Sequence, residues 1–233
     1  DLVRVFPGDE FPETNDLIGM IAIGKYSPAQ LKAFKAKKLP LVVIDQDVLG
    51  ADVACVVPDF QSPLAAIAQY FLAEGHTKIG MLAGQEATTD HVALNDLRPA
   101  LFSSAVIATG GHQPQIITGK FTTESGYQTM TKALDEMPET KRPTAWFVAS
   151  DTMAIGAIKA LQEHGVNVPE QVRVIGFNDL AVGRFLTPAL STVHVPTAEL
   201  GQAAVHLLTD IRNGTYTQPL KLTIASTLQL RQS

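Results

Sequence analysis

Residues 143–179, PTAWFVASDTMAIGAIKALQEHGVNVPEQVRVIGFND, constrain the fold more than any other stretch of the chain. Ala145 to Ala149 is almost wholly apolar and rich in aromatic and β-branched residues, the pattern of a strand covered on both faces. Ser150-Asp151 then offers side-chain oxygens to the free N–H groups of a helix start. Ala154, Ala157, Ile158 and Leu161 recur at helical spacing, and Gly165 supplies a stop. A second buried run, Val172 to Phe177 with Arg173 inside it, ends at Asn178-Asp179. Strand, helix and strand in this order predict a βαβ unit with parallel strands and a right-handed crossover. Ligands of open α/β sheets sit beyond the carboxyl ends of the strands, which makes Ser150-Asp151 and Asn178-Asp179 neighbours on one rim. Small neutral groups beside carboxylates suit a hydroxyl-rich ligand. A helix cap and a turn explain the same four residues equally well.

The remaining segments repeat the α/β alternation. Leu2 to Phe6 reads as a strand broken by Pro7-Gly8, and Leu17 to Ile23 as a second buried run. Ser27-Pro28 starts a helix that runs to about Lys38 and packs Leu31 and Phe34, and Leu41 to Ile44 is a strand with Asp45 at its carboxyl end. After the strand Ala54 to Val57, Ser62-Pro63 opens a helix with Leu64, Ile67, Ala68, Phe71 and Leu72 on its apolar face. Strand Ile79 to Ala83 is followed by the polar stretch Ala87 to Leu94, a ligand-facing loop. Then come helix Asp96 to Thr109, strand Ile116-Ile117, and a helix through Leu134 capped by Thr123. Beyond the βαβ unit, Leu190 to Val193 is extended, Thr197 caps a helix Ala198 to Arg212, and Leu222 to Ile224 and Thr227 to Leu230 alternate like antiparallel edge strands.

A length of 233 residues allows one large or two small domains with a sizeable core. The formal charge of −5 argues against this stretch gripping nucleic acid by itself, which needs a basic face to displace counterions. The lone cysteine, Cys55, permits no internal disulfide and reads as a core residue. No apolar run approaches the ~20 residues that span a bilayer, and nothing resembles a signal peptide, so the cytoplasm is the expected location. No G-x-G-x-x-G, phosphate-loop or G-x-S-x-G motif occurs, and the six histidines lack metal-ligand spacing. No cofactor, no metal site and no enzymatic activity are therefore expected. Asp151 and Asp179 taken as a glycosidase acid and base are the enzymatic alternative.

Five stretches together resemble the effector-binding core of the lactose/galactose repressor family: DLIGMIAIGKYS (Asp16 to Ser27), AEGHTKIGMLAG (Ala73 to Gly84), FVASDTMAIGAIKAL (Phe147 to Leu161), VPEQVRVIGFND (Val168 to Asp179) and TPALSTVHVPTAELGQAAV (Thr187 to Val205). The resemblance covers nearly the whole chain. It implies two doubly wound parallel-sheet lobes joined by three crossovers, as in type I periplasmic sugar-binding proteins, and a periplasmic sugar carrier is the alternative within that fold. The crossovers are expected near Val57-Pro58, near Val195-Pro196 and between Tyr216 and Lys221. Residues 1–57 with 195–217 would form the N-terminal lobe, and 58–194 with 218–233 the C-terminal lobe.

The resemblance also implies a sugar or small galactoside bound in the interlobe cleft, a homodimer, and operator DNA contacted only through a helix-turn-helix headpiece absent from this sequence. The family's first strand and helix precede the segment matching Leu2 to Phe6, so a truncated chain is expected. By position, Arg98 matches an arginine that binds sugar hydroxyls, with Leu101 in place of the usual glycine three residues on. Such an arginine should matter to the ligand more than to stability. Phe121 matches an aromatic that stacks on the sugar face. Ser150 stands where lactose-type repressors often carry Asn, and Asn178 where many carry Asp. Asp45 matches a hinge-proximal carboxylate, while Lys25, Val57, Val195 and Thr197 would line the crevice beside Asp151.

Overall fold

The computed structural model describes residues 3–6, 9–11, 13 and 17–233. In chain order the elements are β1 (Met20–Ile23), α1 (Pro28–Lys35), β2 (Leu41–Ile44), β3 (Ala54–Pro58), α2 (Gln61–Ala73), β4 (Ile79–Gly84), β5 (Glu86–Ala87), β6 (Ala93–Leu94) and α3 (Arg98–Ala108). They continue with β7 (Gln115–Gly119), α4 (Thr123–Glu136), β8 (Ala145–Val148), α5 (Asp151–Glu163), β9 (Arg173–Asn178), β10 (Ser191–His194), α6 (Thr197–Arg212), β11 (Lys221–Ile224) and β12 (Thr227–Gln229). These fall into two units: Asp1–Pro58, Ala87–Leu94 and Pro196–Ile224 in the first, and Asp59–Glu86, Asn95–Val195 and Ala225–Ser233 in the second.

The first unit is a four-stranded sheet of order β1-β2-β3-β11, parallel throughout. One face packs Leu31 of α1 on Leu41, Val43 and Cys55, with Tyr26 set edge-on to Phe34 at 5.0 Å between ring centroids. Helix α6 lies along the strands of this sheet and seats Leu208 where a Cβ on Gly19 would stand. Cys55 is buried and unpaired.

In the second unit the sheet order is β12-β10-β9-β8-β4-β7, with only β12 antiparallel to its neighbour. The central strand β8 shows why it forms. Ala145, Phe147 and Ala149 enter a core built with Leu64, Ile67 and Phe71 of α2 and Phe102 and Val106 of α3. Trp146 and Val148, pointing the other way, enter a second core with Met130 of α4 and Met153, Ala157 and Leu161 of α5. An unbroken apolar strand is what a sheet covered on both faces requires. Helices α4 and α5 approach to backbone contact through two glycines. A Cβ on Gly126 would overlap the Met153 carbonyl, and one on Gly156 the Thr123 carbonyl.

The α/β class and the doubly wound parallel sheets are as the sequence implies. Several local expectations are not. Val3 to Phe6 form no strand and leave their apolar side chains exposed, because no sheet edge pairs with them among the described residues, while Leu2, Pro7 and Gly8 lie outside those residues. The second run becomes a strand only from Met20. Helix α1 stops at Lys35 instead of Lys38, whose φ of 57° is left-handed. Capping falls one to three residues upstream of the expected residue: Asp59 Oδ1 accepts from Gln61 and Ser62 N–H, and Thr122, not Thr123, accepts from Ser125 N–H. Thr197 is the first residue of α6 and caps nothing. The expected loop 87–94 contributes to a two-stranded hairpin, β5 with β6. Residues 221–224 are parallel, not antiparallel, because β11 pairs with β3, and that pairing places them in the first unit.

Candidate functional site

In the second unit the chain leaves β4 for α3 on one face of the sheet and leaves the adjacent β8 for α5 on the other. The carboxyl ends of β4 and β8 therefore flank a topological switch point, where diverging loops open a crevice. Arg98, the first residue of α3, sits there. Asp96 fixes it twice, accepting the Arg98 backbone N–H at 3.0 Å and the Nε–H at 2.9 and 3.0 Å. Nη1 donates to the Ala149 carbonyl at 2.9 Å and Nη2 to Glu86 Oε1 at 2.8 Å. Three rings surround the guanidinium carbon, with centroids at 5.0 Å (Phe121), 5.5 Å (Phe60) and 5.7 Å (Phe177). Arg98 is only 7% exposed. Phe121 lies across Gly84 at the end of β4, where any Cβ would overlap its ring.

Ser150 and Asp151 follow β8 in the same crevice wall, but their side chains turn inward. Ser150 Oγ caps α5, accepting from Met153 N–H at 3.2 Å. Asp151 is 0% exposed. Its Oδ1 accepts the Thr192 hydroxyl at 2.6 Å and its Oδ2 the Leu180 N–H at 2.7 Å, in space left by Gly176. Burial pushes its pKa up to about 6, the two hydrogen bonds opposing the rise. Asn178, the last residue of β9, and Asp179 after it have φ of 110° and 56°, and Asn178 remains exposed. Asp179 is gripped by Arg231, by His194 Nδ1 at 3.1 Å and by Arg184 at 3.2 Å. Burial raises its pKa, but Arg231 above all holds it below the usual carboxylate value. Both oxygens of each carboxylate are thus engaged by groups of the protein itself. Val195 is half-buried and packs on the same core as Phe121.

The other candidates lie in the first unit. Lys25 Nζ meets Asp45 Oδ2 at 3.1 Å and also donates to the Asp45 carbonyl, tying the ends of β1 and β2. Asp45 has a φ of 79°. Val57 is buried in β3 opposite Thr223, and Thr197 is exposed. Segment 87–94 is anchored here as well: Asp90 accepts the Ser27 hydroxyl at 2.7 Å, beside the free N–H groups of α1. Of the site-forming residues, the sequence reading passes over Glu86, Asp96, Phe60, Phe177 and Thr192. Only Asp96 has a local signal, an acidic residue just ahead of a helix start. No group of three or more His, Cys, Asp or Glu among the described residues could hold a metal ion, and no helix among them is long and apolar enough to cross a membrane.

The family model of the periplasmic binding protein-like domain matches residues 68–233. The chain belongs to that family. Its likeness extends to the HTH-type transcriptional regulator GalR of Lacticaseibacillus casei, 40% identical over 84% of this chain and 59% of the regulator. Among solved structures, a regulatory protein of LacI family from Chloroflexus aggregans superposes with a TM-score of 0.83, at 27% identity over 94% of this chain and 78% of that one. A transcriptional regulator CelR in complex with cellobiose superposes with a TM-score of 0.78, at 26% identity over 94% of this chain and 66% of that one. These relatives bear out the lactose/galactose repressor resemblance read from the sequence. The chain spans 58–63% of the length of the curated regulators it matches first.

Proposed function

We propose that this domain is the effector-sensing core of a transcriptional regulator and that its effector is a small sugar. The observation that supports this best is the Arg98 cluster: a buried guanidinium held by three protein acceptors among aromatic rings, at the switch point of a family sheet. Aromatic faces stack on the apolar faces of sugar rings, and a fixed fork of donors pairs with hydroxyls. The structurally similar CelR, in complex with cellobiose, supports the same class. Operator DNA is contacted by a helix-turn-helix headpiece outside these residues, in the cytoplasm, and the domain itself catalyses nothing. The effector acts by binding one of two conformations better than the other, since only differential affinity shifts an equilibrium. Titration calorimetry against neutral sugars and purine bases tests the reading. Binding of a neutral sugar is expected, and preference for a purine would overturn it.

Two-fold operators demand two headpieces at fixed spacing, so the working form is a homodimer. The exposed apolar residues Leu180, Val182 and Phe185, the last 84% exposed, supply surface for a second copy. Light scattering should show a dimer at tens of micromolar that Phe185→Glu weakens; monomer throughout would exclude it.

A further inference from the structure

The Arg98 cluster carries more negative than positive charge, and this bears on which sugars can enter. Arg98 contributes one positive charge, Glu86 and Asp96 one negative charge each, all drawn into a network whose arginine is almost wholly buried. The guanidinium has five N–H groups. Nε–H is spent on Asp96, one N–H of Nη1 on the Ala149 carbonyl and one of Nη2 on Glu86. One N–H on each terminal nitrogen has no partner among the described residues. The two carboxylates differ in the same respect. Both Asp96 oxygens are occupied by Arg98, and its side chain is 8% exposed; Glu86 uses only Oε1 and is 18% exposed, leaving Oε2 with no partner among the described residues.

We infer that Glu86 is a ligand-contacting residue that selects uncharged sugars over their phosphate esters. This rests on the sugar reading given above. Oε2 and the free N–H groups of Arg98 form a donor–acceptor couple. A hydroxyl, which both donates and accepts, satisfies such a couple. A phosphate, fully ionised and accepting only, meets the Glu86 carboxylate with like charge in a poorly solvated place, and such juxtapositions are strongly unfavourable. Lys120, beside Phe121 in the chain, pairs with no carboxylate among the described residues but is exposed, so water screens its pull on an anion. The balance favours neutral ligands.

The test is calorimetry on the whole chain with galactose, glucose and cellobiose, and with galactose 6-phosphate and glucose 6-phosphate, for the unmodified protein and for Glu86→Gln. The expected result is that a neutral sugar binds at least ~10-fold more tightly than its phosphate ester, equivalent to about 1.4 kcal/mol. Glu86→Gln, which keeps the acceptor for Nη2 and removes the charge, should narrow that ratio by about the same factor while weakening the neutral sugar less. A phosphate ester that binds the unmodified protein as tightly as its parent overturns the inference while leaving the sugar reading intact. An unchanged ratio in a Glu86→Gln protein that melts normally overturns it too. Binding of no sugar of either kind removes the sugar reading, and this inference with it.

Discussion

Arg98 has a structural role beside the ligand role proposed for it, so two measurements on one substitution separate the two. In Arg98→Ala, sugar affinity should fall at least ~10-fold, because each charge-assisted hydrogen bond is worth roughly 1.5–3 kcal/mol. Stability should fall as well, by about 3 kcal/mol in chemical denaturation, because Glu86 and Asp96 lose the charge that compensates them. That second effect reverses the expectation of an arginine with little bearing on the core. Arg98→Lys should rescue poorly, since one ammonium cannot reach Asp96, Glu86 and the Ala149 carbonyl together. Retained affinity in Arg98→Ala would remove it from the site. Asp151 sets a pH dependence. Its folded pKa of about 6 lies above the ordinary value near 3.9, so the folded state holds an extra proton between those limits. The stability contributed is fully present below about pH 4 and is lost as pH rises through about 6, amounting to roughly 3 kcal/mol. Asp179, with its lowered pKa, contributes in the opposite sense at lower pH. Measuring the difference between unmodified protein and Asp151→Asn across pH 4 to 7 isolates the first term; a flat difference would contradict it. Arg98 and Phe121, whose ligand role is proposed, were nameable from the sequence because they match a family motif. Glu86 and Thr192 were not, since their partners stand 12 and 41 residues away and only the folded sheet brings them together.

Helices α4 and α5 hold the clearest lesson at the scale of elements. Glycine inside a helix ordinarily weakens it by about 1 kcal/mol relative to alanine. At Gly126 and Gly156 the added methyl would strike a backbone carbonyl of the facing helix, and overpacking of that kind costs roughly 1–3 kcal/mol. Gly126→Ala and Gly156→Ala should therefore destabilise, whereas Gly201→Ala in α6, with nothing within 4 Å of the new Cβ, should stabilise by up to about 1 kcal/mol. Thermal melts of the three variants read out the opposite signs, and a shared sign would refute the close approach. Buried strands and amphipathic helices were readable because their periodicity is local. The direction of β11 was not, because an alternating edge strand has the same pattern whichever way its neighbour runs, and only its pairing with Cys55 to Pro58 decides. Caps were misplaced by one to three residues because Asp59, Ser62, Thr122 and Thr123 are all competent acceptors and sequence alone does not choose among neighbours.

For the whole molecule, net charge and chain path make separate statements. With a formal charge of −5, this domain alone should show no salt-dependent binding to a DNA duplex by fluorescence anisotropy, since counterion release requires a cationic face; measurable affinity at physiological salt would place DNA contacts within these residues. The chain path bears on how the molecule is made. The second unit has all of its helices and five of its six main-sheet strands once residue 194 has been synthesised, and lacks only β12. The first unit supplies β1, β2 and β3 early but must wait for α6 to cover its sheet and for β11 to pair with β3. A ribosome therefore releases the first three strands long before their covering helix α6 exists. Those strands, apolar and bare on the face that α6 covers while more than a hundred residues are added, are where a chaperone would be expected to hold the nascent chain.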